Sequence, residues 1–210
     1  GETNRTTRIS GVGLQGYRAV AALECNSTGT VFAVDNRAHE LLTINSSNRQ
    51  TNPVGGIGFF RISDLAFHGP SGFFYAIDDE VDATRSDRLI RIDPATGMGT
   101  LVGEIGSTYR YVQGLAFDAV TGNLLATDVA LHELVRINRL TRVGTRVGTL
   151  NFGNVTSLAF SPAGALYGID QTADQLVRID KATGQGTVVG PLGFFVVKGI
   201  AVGPRGVAYG

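Results

Sequence analysis

Two carboxylates raise the only catalytic question in this 210-residue chain. Glu24 stands in a short apolar word, "ALEC", at a place held by Ala66, Ala116, Ala159 and Ala201 in later copies of that word. Asp64 opens the next copy, "DLAF". If both face a common axis they form the acid and base or nucleophile that glycoside hydrolysis requires, at a separation of about 5 to 9 Å. The competing explanation is that the first copy is the most divergent one, since Cys25 there also replaces an aromatic. No Ser-His-Asp grouping can be read. "GVGLQG" at 11–16 matches a dinucleotide fingerprint by letter, without the βα context that gives the letters meaning.

Two patterns invite a metal reading. The stretch "DDEVDATRSDR" gathers Asp78, Asp79, Glu80, Asp82 and Asp87, and calcium takes six to eight oxygen ligands. It lacks the spacing and turn glycine of an EF-hand, and Arg85 and Arg88 offset part of its charge. A solvated loop is the favoured reading, with no cofactor, and calcium is the alternative. The second pattern, Asp-x-x-x-[His/Asp]-x-Leu, pairs Asp35 with His39, Asp128 with His132 and Asp170 with Asp174. Each pair belongs to a separate copy of one unit, so four ligands do not converge. A carboxylate closing its own loop through backbone N–H groups explains the recurrence.

The elements that must hold these residues are repeats. "DLAF" at 64 returns as "GLAF" at 114, "SLAF" at 157 and "GIAV" at 199, with "ALEC" at 22 as a weaker first copy. Each word opens a unit and is followed by a turn ending in glycine: Gly29, Gly72, Gly122, Gly164 and Gly206. A second strand ends in Asp35, Asp78, Asp128 or Asp170. The third strand reads "LLTIN", "LIRID", "LVRIN" or "LVRID". A tight turn carries Gly97 and Gly184 in two copies and Arg49 and Arg142 in the others, and the fourth strand ends near "PVG", "LVG", "RVG" or "VVG". Such a sheet cannot bury both faces alone, and radial stacking on its neighbours solves that.

These words and their spacing resemble β-propeller repeats of the NHL and YVTN kind found in secreted bacterial proteins, and the resemblance covers nearly the whole chain. The expected fold is all-β: one five-bladed β-propeller domain over 1–210, with repeats at about 22–63, 64–113, 114–156 and 157–198. The closing blade joins 199–210 to 1–21, with 5–13 as its fourth strand, and comes out one strand short. Three explanations stand: the blade is three-stranded, the natural chain has more residues, or a neighbouring molecule covers the edge.

In such a ring the loops between blades share one face. Here they carry Tyr17, Phe59, Phe60, Tyr109, Tyr111, Phe152, Phe194 and Phe195. These aromatics either form a platform for a sugar or a protein, or wedge between blades as core. Ser63, Gln113, Thr156 and Lys198 precede the inner strands and, with Arg18 and Arg61, are expected at the channel mouth, where convergent polar groups hold a ligand or hydrate the opening.

Composition limits the partners. Eighteen basic and eighteen acidic residues cancel, which gives no global field for nucleic acid or an anionic membrane. No apolar run is long enough for a membrane-spanning helix, and no charged-then-apolar leader opens the chain. The single cysteine excludes an internal disulfide. Asn-x-Ser/Thr triplets at Asn4, Asn26, Asn45 and Asn154 hint at an extracellular or cell-surface protein. The expected function is a non-enzymatic extracellular scaffold or interaction propeller, binding another protein or itself in an array or filament. A lectin-like carbohydrate module and a glycoside hydrolase using Glu24 and Asp64 are the alternatives.

Overall fold

The computed structural model describes residues 6–7, 17, 19–79 and 86–210. These residues contain no helix. Short runs of Val, Ile, Leu and Phe, punctuated by positive-φ glycines, leave the antiparallel sheet as the way to satisfy the backbone.

Four four-stranded antiparallel sheets follow one another in the chain. The first blade holds β2 (Val20–Cys25), β3 (Val31–Asp35), β4 (Glu40–Ile44) and β5 (Thr51–Gly56). The second holds β6 (Ile62–His68), β7 (Phe73–Asp78), β8 (Arg88–Ile92) and β9 (Gly99–Glu104). The third holds β10 (Val112–Asp118), β11 (Asn123–Asp128), β12 (Glu133–Ile137) and β13 (Gly144–Thr149). The fourth holds β14 (Val155–Phe160), β15 (Leu166–Asp170), β16 (Gln175–Ile179) and β17 (Gly186–Pro191). This is a β-propeller of four-stranded blades. A further sheet joins β1 (Thr6–Thr7), β18 (Ala201–Val202) and β19 (Ala208–Tyr209) in the order β1-β19-β18. It draws on both ends of the chain, as expected. However, β1 pairs directly with β19, in the third place and parallel to it, whereas a fourth strand over 5–13 was expected. Residues 8–13 lie outside the described residues.

Two bulges recur and place the side chains that matter. In every blade the inner strand slips register against the second strand just ahead of its Leu-Ala word: between Val20 and Ala22, Ile62 and Leu65, Val112 and Leu115, Val155 and Ser157. Ser63, Gln113 and Thr156 sit in three of these irregularities, and a bulge re-aims the residues it contains. The second slip lies between strands three and four. It leaves Val54, Val102 and Val147 without a register partner, and each packs into the apolar cluster between its own blade and the next.

Glycines set the blade spacing. A Cβ on Gly55 would come within 2.2 Å of the Thr96 carbonyl oxygen, and one on Gly148 within 1.8 Å of the Thr183 carbonyl oxygen. The outer turns of the second and fourth blades therefore rest on backbone at the Val-Gly ending of the blade before, whereas at Gly103 the Arg142 side chain takes that place. At the turns themselves Gly97, Gly184, Arg49 and Arg142 share one left-handed conformation, with φ of 77°, 81°, 63° and 65°.

Candidate functional site

Aromatic residues of the inter-blade loops divide into two groups. Phe59, Tyr109 and Phe152 are wedges, seated on the first residue of the next blade's outer strand. A Cβ on Gly99, Gly144 or Gly186 would meet their rings at 2.8, 2.7 and 2.6 Å respectively. The partner-face role expected for these three is thus replaced by a packing role, because glycine leaves room for a flat ring at each outer strand. Tyr17 packs between the terminal sheet and the first blade and donates a hydrogen bond to Glu40 Oε2 at 3.4 Å. Phe60, Tyr111, Phe194 and Phe195 stay exposed, Phe195 to 88%. Arg18 lies outside the described residues.

One end of the axis opens into a cavity of about 670 Å³. Ser63, Gln113, Thr156 and Lys198 line it, as the sequence predicted, together with Phe60 and Arg61. Asn36, Asp79, Asn154 and Gln171 add polar groups to the wall and were not foreseen as lining, and Ala19, Val20, Ala21 and Ile62 also border it. Asn36, Asp79 and Gln171 follow the Asp that ends a second strand, and that polar residue after Asp35, Asp78 and Asp170 was the available signal. Asn36 also pins the next blade, donating Nδ2–H to the Ile62 carbonyl at 2.8 Å and accepting the Ile62 N–H at 3.0 Å. Gln171 donates to the Val197 carbonyl at 3.1 Å, and Ser63 Oγ donates to the Val112 carbonyl at 3.1 Å.

Not all of the wall is committed. Arg61 and Asp79 form an ion pair at 3.1 Å. Lys198 forms no ion pair, and the Gln113 and Asn154 side chains make no hydrogen bond, among the described residues. Thr156 Oγ1 is buried without a partner. Val196, two residues before Lys198, holds a left-handed backbone with φ 58°, a conformation costly for a β-branched residue. Its N–H bonds Asp174 Oδ1 at 3.1 Å.

The axial carboxylates, by contrast, are absorbed by the fold. Asp64 is fully buried. Its Oδ2 accepts the N–H of Leu115 at 2.9 Å and of Leu158 at 3.1 Å, and Oδ1 accepts the Ser157 hydroxyl at 3.3 Å. Ser157 Oγ in turn accepts the Ile200 N–H at 3.1 Å. One carboxylate thus ties the inner strands of three blades, and through Ser157 the stretch leading into β18. Burial pushes its proton affinity well above the carboxylate range, against the pull of those N–H donors.

Glu24 opens toward the other end of the axis, into a cavity of about 380 Å³. Its oxygens accept the Cys25 N–H at 2.7 Å and the Phe67 N–H at 3.3 Å, and burial raises it to about 7. Beside it burial pushes the Cys25 thiol up to about 12, which removes it as a nucleophile at neutral pH.

The repeated Asp residues close their loops as expected. Asp35 Oδ1 accepts the Arg37 and Ala38 N–H groups at 2.8 Å, and Asp128 Oδ1 those of Ala130 and Leu131 at 3.0 and 2.9 Å. His39, His132 and Asp174 adopt φ of 57°, 54° and 47°, a region that His, Asn and Asp enter more readily than most residues. In the acidic insertion, Asp78 pairs with Arg88 and accepts the Arg61 N–H, while Asp79 pairs with Arg61. Asp87 Oδ2 accepts the Val112 N–H at 2.6 Å, and burial raises Asp87 to about 7. Among the described residues no three His, Cys, Asp or Glu side chains come together as a metal cage; Glu80 and Asp82 lie outside them. No helix there is long and apolar enough to cross a membrane, which leaves strand-built spans untouched.

Solved structures share this fold at low identity. A protein of unknown function from Bacteroides thetaiotaomicron is 18% identical with a TM-score of 0.62, over 82% of this chain and 43% of that one. A chain of a nidogen/laminin complex is 14% identical with a TM-score of 0.64, over 88% and 69%. Virginiamycin B lyase from Staphylococcus aureus is 12% identical with a TM-score of 0.54, over 88% and 60%. The chain therefore spans less than half of the first of these structures and about two thirds of the others. No curated protein matches its sequence. Residues 37–209 match the family described as "Repeat of unknown function (DUF6923)". With that match over most of its length, and with the repeated blades to account for it, the chain belongs to this family of repeats.

Proposed function

We propose that the chain is a non-enzymatic interaction propeller that recognises its partner at the polar mouth of the axis. One observation carries this reading. The fold consumes Asp64 and Glu24 in backbone hydrogen bonds, while Gln113, Asn154 and Lys198 face a cavity of about 670 Å³ with their polar groups uncommitted by the described residues. A few convergent polar groups in a concavity of that size suit recognition. Among the described residues Asp79 is the only acidic one on the wall, and Arg61 holds it.

The partner is a protein that presents a polar segment to the mouth and apolar side chains to Phe60, which lines it and is 65% exposed, and to Phe195, 88% exposed in the loop before Lys198. The propeller chain in a nidogen/laminin complex is a precedent for the architecture in protein association. Carbohydrate is the second reading, favoured by the exposed Phe60 beside amide and hydroxyl groups, the usual combination for stacking on a sugar ring while bonding its hydroxyls. In the self-assembling version of the first reading the partner is another copy, in an array or filament.

We place the protein outside the cell or on its surface, and treat the terminal sheet as the fifth, closing blade of the ring. Its strand β18 lies between the inner strands of the fourth and first blades, where Ile200 and Ala201 are buried in the two flanking clusters. Peptide and glycan arrays probed with the wild type and with a Gln113→Ala, Lys198→Glu double variant test the function. Signals that fall at least tenfold in the double variant support it. Signals equal in both proteins, or a blank array from folded protein, refute it.

A further inference from the structure

The cavity at the Glu24 end of the axis has a chemistry opposite to that of the mouth. Lys198 and Arg61 line the mouth, whereas among the described residues no Lys, Arg or His lines this cavity of about 380 Å³. Each of the four complete blades contributes the end of its inner strand to the wall. Three of these ends bring Phe67, Phe117 and Phe160, the last residues of the Leu-Ala-Phe words. The fourth brings Glu24 and Cys25.

Glu24 breaks the pattern of the ring. At its position the other inner strands bury Ala66, Ala116, Ala159 and Ala201, each packed in the cluster shared with the next blade. A carboxylate there is costly unless something offsets its desolvation. The fold offsets part of that cost. The Cys25 and Phe67 N–H groups each take one lone pair, on different Glu24 oxygens, and each oxygen has a second. Glu24 forms no ion pair among the described residues. Asp118, the other acidic residue of the wall, is held by Lys181 at 2.6 Å. That contact shows how this end of the molecule seats an ammonium group. Lys181 Nζ also lies 5.4 Å from the centre of the Phe160 ring, within cation–π reach. Glu24 shares its cavity with the Phe67 and Phe117 rings, the same two ingredients.

We infer that this cavity binds a small alkylammonium ion, its charge on the Glu24 carboxylate and its carbon groups against Phe67 and Phe117. Such a ligand supplies the counter-charge that the wall does not. Two carboxylates with no basic residue beside them on the wall turn an anion away. Rings in place of further oxygen ligands favour an organic cation over a metal ion. The volume lies toward the low end of the range for small-molecule pockets, about 300–1,000 Å³. The site is separate from the mouth and does not depend on the function proposed for it.

The test titrates the intact, isotope-labelled chain with choline at about pH 8, where Glu24 is ionised, and with dimethylbutanol, the uncharged isostere of choline. Choline is expected to shift the amide signals of Cys25, Phe67 and Phe117 saturably, with those of Gln113 and Lys198 unmoved. Dimethylbutanol should bind about tenfold more weakly or worse, and Glu24→Gln should weaken choline by a similar factor in a folded protein. Lowering the pH to about 5.5 should also weaken choline about tenfold or more, since proton and cation compete for one carboxylate. Glu24→Gln should abolish that pH dependence, which separates Glu24 from Cys25, Asp64 and Asp118 with its Lys181, the other ionisable groups around it. Absence of a saturable shift overturns the inference. So does equal binding of the two ligands, choline binding unchanged in Glu24→Gln, or shifts confined to the mouth.

Discussion

Removing the Asp64 carboxylate should damage the fold and spare recognition. In Asp64→Ala the buried N–H groups of Leu115 and Leu158 lose their acceptor, and the Ser157 hydroxyl loses its own. A buried donor left unsatisfied costs about 1–3 kcal/mol. With part of the loss recovered by removing a buried, desolvated polar group, Asp64→Ala should cost about 3–5 kcal/mol. For a chain of this size that corresponds to a fall in Tm of roughly 6–20 °C. Asp64→Asn keeps an acceptor for both N–H groups and turns its amide toward Ser157 Oγ, so it should stay within about 1 kcal/mol of wild type. The chain has no Trp, so far-ultraviolet circular dichroism and tyrosine fluorescence in urea are the appropriate readouts. An Asp64→Ala variant within 1 kcal/mol of wild type would refute the tie between blades. An Asp64→Asn variant that keeps its stability but loses an activity would return the residue to catalysis.

Other consequences follow from the same contacts. Gly55→Ala should destabilise by about 3 kcal/mol or more, at the upper end of overpacking costs, because its Cβ meets the Thr96 oxygen; Gly56→Ala, with open space around it, should change stability by less than about 1 kcal/mol. Urea denaturation of the two variants compares them directly. Glu24, raised to about 7 by burial, binds its proton more tightly folded than unfolded. Stability should therefore fall as pH rises from about 4.5 through 7, and Glu24→Gln should lack that share of the fall, about 3 kcal/mol or roughly 6–12 °C in Tm. Parallel slopes for the two proteins over pH 5–8 would contradict the burial of this carboxyl. Ser157→Ala should loosen the stretch leading into β18, seen as faster amide exchange at Ile200 with the exchange of Ile90 in the second blade unchanged.

The blades could be read from the sequence because each structural demand is written several times. The Arg49 and Arg142 positions aligned with Gly97 and Gly184, and all four hold the same backbone conformation. Asp35, Asp128 and their loop partners repeated at one spacing, and that regularity pointed to local hydrogen bonding over a shared metal. The mouth was legible for a related reason: Ser63, Gln113 and Thr156 precede the Leu-Ala words at the place where a bulge turns them. What could not be read was the fate of single side chains. Phe59 and Phe60 are adjacent and alike in composition. Only the glycine at position 99, on a different blade and forty residues away, makes one a wedge and leaves the other on the rim. Glu24 and Asp64 looked like a pair because sequence does not show which backbone N–H groups a carboxylate will meet. The closing sheet was legible as a joining of the two ends, and not in its strand order, since two-residue pairings leave no periodic signature.

Recognition at the mouth is tested most directly by hydrogen exchange on the chain bound to an array hit. Protection is expected in 61–63, 111–113, 154–156 and 195–198, with 25–27, 161–164 and 203–204 at the opposite end unchanged. Protection confined to that opposite end, around Glu24, would contradict the account and move the search for function to the other cavity.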